Sequence, residues 1–183
     1  ISEIYKGKDM PKIPGIFVYD SLESSNDTAK QIYRSEPETE AIVIAGMQTK
    51  GKGRRGRSFY SPDKTGMYIS FLLHPKMDFS KSTRLTCMMA VAICRAIEKC
   101  LDLKAGIKWV NDIIYRERKV AGILTEGATS FEDGTLSYVV IGAGINLYAP
   151  YQDFPEEIKK VAGALLDSSF DNDMRNRMYA YGI

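Results

Sequence analysis

The segment 48–57, with the sequence QTKGKGRRGR, holds the densest set of residues able to do chemistry in this chain. Its ten residues include five cations and three glycines and no acidic residue. Glycines allow tight turns that bring backbone N–H groups close to a ligand. Arginines present paired donors that match phosphate or carboxylate oxygens. The segment therefore predicts a clamp for an anion such as a nucleotide or an acyl phosphate.

Three widely occurring motifs can also be compared with this segment, and each fits it less well than an anion clamp does. Its glycine spacing fits the dinucleotide-binding fingerprint, and Arg57 stands where a P-loop has lysine, but both motifs need a helix directly after the strand. Pro62 and Gly66 interrupt any such helix. A basic loop that binds nucleic acid is disfavoured because the whole chain carries a net charge of only +2.

A second constellation is KWVND at 108–112. Trp109, the only tryptophan, is expected to pack in the core, and Asn111 followed by Asp112 is by itself typical of a turn. The two isoleucines that follow Asp112 should hold its carboxylate at the edge of a sheet. There it could order Mg²⁺ or take a proton from an amine.

Two apolar segments carry further candidates. Lys119 opens KVAGILTE, where a partly buried lysine could stabilise negative charge at a reacting centre, although a surface lysine at a strand start is the interpretation that the sequence alone favours. In IGAGIN at 141–146, glycines within a strand indicate close approach of a ligand or of another backbone. Tight sheet packing explains them equally well, and Asn146 could contact an adenine edge.

The remaining polar candidates are fewer. The triplet SSN at 24–26 predicts a helix cap, and its hydroxyls could also bind a neutral polar ligand. One histidine, His74, and three cysteines without CxxC spacing argue against a zinc site or a histidine-based triad. The cysteines are expected to be buried small hydrophobes.

The elements that position these residues follow from periodicity and turn residues. Strands are predicted at 16–19, 41–45, 67–73, 107–109, 113–115, 119–126 and 136–147. Helices are predicted from Ser24 or Ser25 to about Arg34, over 82–100, from Asp153 to about Leu166, and starting near Asp171. This arrangement of strands and helices predicts an α+β domain, a mixed β-sheet flanked by helices.

Length and composition are those of a globular protein, with 44% hydrophobic and 26% charged residues over 183 positions. No apolar run approaches the roughly 20 residues that span a bilayer, and no signal peptide is visible. We therefore expect a single cytoplasmic domain over 1–183 with no membrane partner.

Taken in order, these segments resemble the biotin–protein ligase family, also called biotin–[acetyl-CoA carboxylase] ligase. Five family motifs have counterparts in the same order: STN at 24–26, GRGRRGR with an aromatic and Ser-Pro at 51–62, KWPND at 108–112, KLAGIL-x-E at 119–126, and GxGIN at 142–146. Val110 replaces the proline of KWPND, and Phe59 replaces the more common tryptophan.

The resemblance implies a two-step reaction with ATP, Mg²⁺ and biotin. The carboxylate of biotin attacks the α-phosphate of Mg-ATP to give biotinyl-adenylate, and a lysine of a carboxylase carrier domain then displaces AMP. It implies no DNA partner for this chain, which we expect to lack the helix-turn-helix domain and the small C-terminal domain of its relatives, and it leaves a homodimer open.

Residue roles follow from the resemblance by position. The residues implied for biotin are Ser24, Ser25, Asn26, Gln48, Gly51, Lys52, Lys119, Gly142 and Gly144. Those implied for ATP are Arg54, Arg57, Phe59, Lys108, Asn111 and Asn146. Catalytic roles fall to Lys119, Arg54 and Asp112, and Asp112 is also the implied Mg²⁺ ligand.

Three other functions stay open at this point. A lipoate or octanoate ligase would share the fold and the adenylation step. A non-catalytic sensor of biotin or nucleotide would keep the pocket without making an adenylate. A nucleic-acid repressor is the third alternative.

Overall fold

In the computed structural model, which describes residues 15–130, 134–150, 152–167 and 171–182, seven strands form one mixed sheet. The strands are β1 (Gly15–Leu22), β2 (Ala41–Gln48), β3 (Gly66–Leu73), β4 (Gly106–Lys108), β5 (Asp112–Tyr115), β6 (Arg118–Thr129) and β7 (Leu136–Asn146). Their order across the sheet is β1-β2-β3-β7-β6-β5-β4. The predicted fold class is confirmed.

Strand direction follows from the connections. Helix α1 (Ser25–Ser35) carries the chain back between β1 and β2, so these two strands pair in parallel. The other neighbouring pairs are antiparallel. The side chain of Ser24 accepts a hydrogen bond from the backbone N–H of Asp27 at 3.4 Å, which confirms the predicted cap of α1.

The two faces of the sheet are covered by different helices. Alternate residues of a strand point to opposite faces. In β2, Val43 packs in the cluster beneath α1, and Ile42 packs in the larger cluster that includes α2 (Ser82–Leu101). A further helix, α4 (Asn172–Gly182), packs against α2 and β3. No helix of the described residues is long and apolar enough to cross a membrane.

The predicted helix from Asp153 to about Leu166 is wrong in length. Helix α3 spans only Glu156–Lys159. The chain after α3 forms backbone hydrogen bonds with the ends of strands. The N–H of Lys119 donates to Val161 O at 2.7 Å, and the N–H of Leu166 donates to Leu147 O at 2.8 Å. These long-range bonds satisfy backbone groups that a longer helix would otherwise pair internally.

The predicted core position of Trp109 is also wrong, because its side chain is 77% exposed. Strand β4 ends at Lys108, which pairs with Asp112, so Trp109 falls in the tight turn between β4 and β5. Since β4 is the last strand of the sheet, no neighbouring strand covers this turn from outside. The indole therefore lies in solvent.

Candidate active site

The glycine- and arginine-rich segment folds into a flap after β2. Backbone bonds close it: Gln48 N donates to Ser61 O at 3.0 Å, Phe59 N donates to Gly51 O at 2.8 Å, and Gly53 N donates to Arg57 O at 2.7 Å. The tip residues Arg55 and Gly56 have φ of 57° and 74°. Left-handed backbone of this kind is easiest for glycine, which explains Gly56 in the turn.

Three cations of the flap are bonded to the body of the protein. Lys50 pairs with Glu23 at 2.7 Å, and Lys52 pairs with Asp27 at 2.7 Å. The hydrogen bond to Asp27 raises the pKa of Lys52 above its usual value. The third, Arg54, donates from Nη1 to Asn111 Oδ1 at 3.0 Å.

A small polar pocket lies beneath the flap. Its lining includes Ser24, Ser25, Asn26 and Gln48 on one side and the glycines of β6 and β7 on the other, around a cavity of about 20 Å³. The flap residue Phe59 lines it as well. Most of these side chains come from the start of α1 and the end of β2, which the parallel β1–β2 pairing brings together.

Hydrogen bonds order the polar wall of this pocket. Gln48 Oε1 accepts from the N–H of Ser25 at 2.8 Å and from its hydroxyl at 3.0 Å. Ser70 Oγ lies 2.8 Å from Ser25 Oγ and 2.6 Å from Asn26 Oδ1. Behind them, Asn26 Nδ2 donates to Glu126 Oε2 at 2.8 Å. The wall is thus a connected hydroxyl–amide network.

The strand glycines were predicted to allow close approach of a ligand or of another backbone. In the structure, side chains of the protein itself lie against them. A Cβ on Gly142 would lie 2.0 Å from Asn26 Oδ1, and a Cβ on Gly144 would lie 2.4 Å from the ring of Phe59. A Cβ on Gly122 would lie 3.2 Å from both that ring and Lys119 Nζ. Missing Cβ atoms therefore let the Asn26 amide and the Phe59 ring lie against the strands.

A second, larger cavity of about 360 Å³ adjoins the first, and Phe59 lines both. Four cations border it: Arg57, Lys108, Lys119 and Lys160. Its apolar lining comes from β5 and from the chain around α3, namely Ile114, Phe154, Ile158, Val161 and Ala162. A cavity with cations at one part and apolar side chains at another suits a ligand with a charged end and a flat apolar end.

Lys119 lines the larger cavity and lies beside Gly122, which lines the smaller one. Its ammonium group pairs with Asp112 Oδ1 at 2.6 Å, and both side chains are about one-third exposed or less, at 34% and 28%. Asn111 Nδ2 donates to Asp112 Oδ1 at 3.1 Å, and Asn111 Oδ1 accepts from Arg54. This chain of contacts joins the flap to Lys119.

Most of the predicted residues fall into two groups, but Arg54 and Asn111 line neither cavity, and Arg54 borders a separate cavity of about 170 Å³. The small pocket gathers Ser24, Ser25, Asn26, Gln48, Lys52, Gly142 and Gly144. The large cavity gathers Arg57, Phe59, Lys108, Asp112, Lys119 and Asn146. Gly51 packs directly against the Phe59 carbonyl oxygen and the Ser61 side chain. A Cβ at position 51 would lie 2.4 Å from that carbonyl oxygen.

Two placements differ from a simple ligand contact. The amide of Asn146 donates from Nδ2 to Gly163 O at 3.0 Å, so this side chain braces the loop after α3. Asp112 is the one predicted carboxylate of the site, and no group of three or more metal-ligating side chains occurs among the described residues. A Mg²⁺ ion here would need most of its oxygen ligands from a phosphate group and water.

Several residues that support the small pocket from behind escape prediction from the sequence. Ser70 and Ser61 are buried polar residues, and Lys30 and Glu126 form an ion pair of 2.6 Å behind Asn26. The one signal for Ser70 is a serine within an otherwise apolar strand. Nothing in the sequence indicated that the chain around α3 lines the large cavity, because the helix predicted there was too long.

Comparison with known proteins gives a consistent result. A family model described as Biotin/lipoate A/B protein ligase family matches residues 18–146. The bifunctional ligase/repressor BirA of Bacillus subtilis is 35% identical over 150 residues, which is 82% of this chain and 46% of that protein. A biotin–[acetyl-CoA-carboxylase] ligase of Mycobacterium tuberculosis is 31% identical over 144 residues, covering 75% of this chain and 49% of that protein. The chain spans about half the length of these relatives.

Solved structures show the same fold. The biotin protein ligase of Aquifex aeolicus in complex with biotin and ATP has a TM-score of 0.68 and 26% identity, covering 93% of this chain and 71% of that one. The biotin protein ligase of Leishmania major in complex with biotinyl-5-AMP has a TM-score of 0.70 and 23% identity, covering 93% of this chain and 74% of that one.

Proposed function

The chain belongs to the biotin/lipoate A/B protein ligase family, and we propose that it is the catalytic domain of a biotin–protein ligase. It converts biotin and Mg-ATP to biotinyl-5'-AMP and pyrophosphate and transfers the biotinyl group to a lysine of a carboxylase carrier domain. The observation that carries this proposal is the junction of two unlike cavities at Phe59, which lines both, beside Lys119. One has a neutral hydroxyl–amide wall, and the other has a rim of cations.

The small pocket suits the fused rings of biotin. A cyclic urea is neutral and polar, so it needs hydrogen-bonding partners without net charge. The network of Ser25, Gln48 and Ser70 supplies them. Because Phe59 now lies across the glycines of β6 and β7 and the cavity is only about 20 Å³, the ring must move to admit the ligand.

The carboxylate end would lie near Lys119 and the backbone N–H groups of Gly51 and Lys52. Attack on the α-phosphate forms a bond between a carboxylate oxygen and phosphorus and breaks the bond to the pyrophosphate oxygen. Two anions meet in this step, so their repulsion must be offset by fixed positive charge. Arg54, Arg57 and Lys119 would supply that charge.

The nucleotide would occupy the large cavity with its base against the apolar side chains near α3. Mg²⁺ would enter on the triphosphate as part of the substrate, with Asp112 as its protein ligand. Two carboxylate residues, Asp112 and Glu117, line this cavity, and Mg²⁺ in nucleotide sites commonly takes one or two carboxylates together with phosphate oxygens.

In the second step the lysine amine of the carrier attacks the acyl carbonyl carbon. A C–N bond forms, the C–O bond to AMP breaks, and the amine loses a proton. Asp112 would accept that proton, and Lys119 would stabilise the departing phosphate of AMP. A flap that excludes water protects the mixed anhydride from hydrolysis in the interval between the steps.

The proposal is tested by looking for the intermediate itself. The protein is incubated with Mg-ATP and either biotin or octanoate, and biotinyl-5'-AMP is sought by mass spectrometry. We expect the adenylate of biotin only, with strong loss in Lys119→Met and none in Lys104→Met, an exposed lysine outside both cavities. An adenylate of octanoate alone would replace this proposal with a lipoate- or octanoate-ligase function.

A further inference from the structure

The small pocket has a defined hydrogen-bond polarity. Its two hydroxyl protons, on Ser25 and Ser70, are shared among three acceptors: Gln48 Oε1, Ser25 Oγ and Asn26 Oδ1. A hydroxyl can donate only one hydrogen bond, so this wall has two hydroxyl donors for three acceptor oxygens. The wall therefore has spare acceptor capacity and suits a ligand that brings N–H donors.

This polarity depends on which end of each amide faces the wall. The Asn26 amide presents its oxygen to Ser70 because its nitrogen faces Glu126 Oε2 at 2.8 Å and Leu124 O at 3.4 Å. A carboxylate and a carbonyl only accept hydrogen bonds, so they fix the NH₂ group on their side. Reversing this amide would place its oxygen against two acceptors.

Gln48 is fixed by the same logic from the flap side. Ser61 Oγ lies 3.0 Å from Phe59 O, a carbonyl, so the Ser61 proton goes there. The Ser61 oxygen then accepts from Gln48 Nε2 at 3.0 Å, which leaves Gln48 Oε1 facing Ser25.

The ion pair with Lys30 explains why position 126 carries a carboxylate. Glu126 Oε1 accepts from Lys30 Nζ at 2.6 Å while Oε2 accepts from Asn26. A carboxylate has an acceptor for each partner, whereas a glutamine has only one oxygen for the two. Lys30 side-chain exposure is 19%, so its ammonium group has limited access to water as a substitute.

We propose that Glu126 is a positioning residue that sets the small pocket as a hydrogen-bond acceptor for the N–H groups of a neutral cyclic urea. It acts through Asn26 and Ser70 and does not touch the ligand. The inference rests on the proposed function for the identity of that ligand as biotin. The polarity itself is a property of the ligand-free pocket and can be measured there.

The experiment compares the wild type, Glu126→Gln, the double variant Asn26→Asp with Glu126→Gln, and Glu98→Gln as an exposed control on α2. In Glu126→Gln, Lys30 and Asn26 compete for one oxygen, so the Asn26 amide loses its fixed orientation. In the double variant, the introduced glutamine donates to the introduced aspartate and accepts from Lys30, and that aspartate again presents an acceptor to Ser70. Lys30, Ser70 and the two exchanged side chains are then all paired again, and only the 3.4 Å contact of residue 26 with Leu124 O is lost.

The expected result is a rise of about tenfold in the Kd of biotin for Glu126→Gln, from the loss of a buried charged hydrogen bond. The KM for ATP should match that of Glu98→Gln, whereas the melting temperature should be lower than in Glu98→Gln because Lys30 loses its ion pair. The double variant should recover most of the lost affinity. Unchanged biotin affinity in Glu126→Gln, or no recovery in the double variant, would overturn the inference.

A second measurement is independent of biotin binding. In the ligand-free wild type, NMR should show slow hydrogen exchange of the Asn26 side-chain amide protons and faster exchange in Glu126→Gln. Fast exchange in the wild type would also overturn the inference. Absence of biotin binding by the wild type, with slow Asn26 exchange, would instead count against the proposed function alone.

Discussion

Replacing Gly144 with alanine should displace the ring that separates the two cavities. The new Cβ would lie 2.4 Å from Phe59 Cε1 and 2.8 Å from both Cδ1 and Cζ. Carbon atoms in favourable contact stand about 3.5–4.0 Å apart, so the ring must retreat by about 1 Å. Gly122→Ala provides the matched control, because its Cβ would lie 3.2 Å from the same ring and needs a shift of only a few tenths of an ångström.

Overpacking of this size costs about 1–3 kcal/mol, and each 1.4 kcal/mol is a factor of ten. We therefore expect kcat/KM for biotin-dependent pyrophosphate exchange to fall by about 5- to 150-fold in Gly144→Ala and by less than about fivefold in Gly122→Ala. The melting temperature of the ligand-free protein should fall in Gly144→Ala, because the same clash strains the folded state, and should change little in Gly122→Ala.

Phe59→Ala shows whether the ring is the cause. If the clash acts through Phe59, adding Gly144→Ala to Phe59→Ala should cost much less than it does in the wild type, which a double-mutant cycle measures. Equal losses in the two backgrounds, or a larger loss for Gly122→Ala than for Gly144→Ala, would refute the reasoning.

Three further outcomes are expected. Arg54→Ala removes the 3.0 Å hydrogen bond between the flap and Asn111 and should speed dissociation of biotinyl-AMP by about tenfold. Arg55→Ala at the flap tip is the control, and equal off-rates would contradict a role of this hydrogen bond in retaining the adenylate. Burial raises the pKa of Tyr179 to about 12 and raises that of Tyr68 above its usual range, so both stay protonated in the folded state while the unfolded chain ionises. Stability should therefore be insensitive to these groups below pH 10 and fall by up to about 1.4 kcal/mol per pH unit for each above it, with a shallower fall in Tyr179→Phe by urea titration. Trp109 fluorescence should resemble that of tryptophan in water and be fully open to quenchers; a blue-shifted, protected emission would contradict its position.

The strands could be predicted because apolar and β-branched runs report burial locally. All seven predicted strands occur, and the helix over 82–100 occurs as Ser82–Leu101. The two errors have one origin. Trp109 is exposed, and the chain after Lys159 leaves its helix, because of where the sheet ends and which strand ends offer bonding partners. Neither fact is local in sequence.

The site divides in the same way. The order of five family motifs indicated which segments would meet, because the residue types alone left a surface lysine and tight sheet packing as competing explanations. The supporting network had no such signal. Glu126 bonds to Asn26 across 100 positions, and Ser70 of β3 reaches Ser25, the first residue of α1. Only the folded sheet makes these pairs neighbours.

The most direct test of the central claim is biotin-dependent exchange of labelled pyrophosphate into ATP by this chain, with Mg²⁺ present and octanoate as the control acid. Exchange reports reversible adenylation and nothing later in the reaction. The account predicts exchange with biotin and none with octanoate, lost in Lys119→Met. No exchange with biotin by a protein that binds biotin would contradict adenylation by this chain.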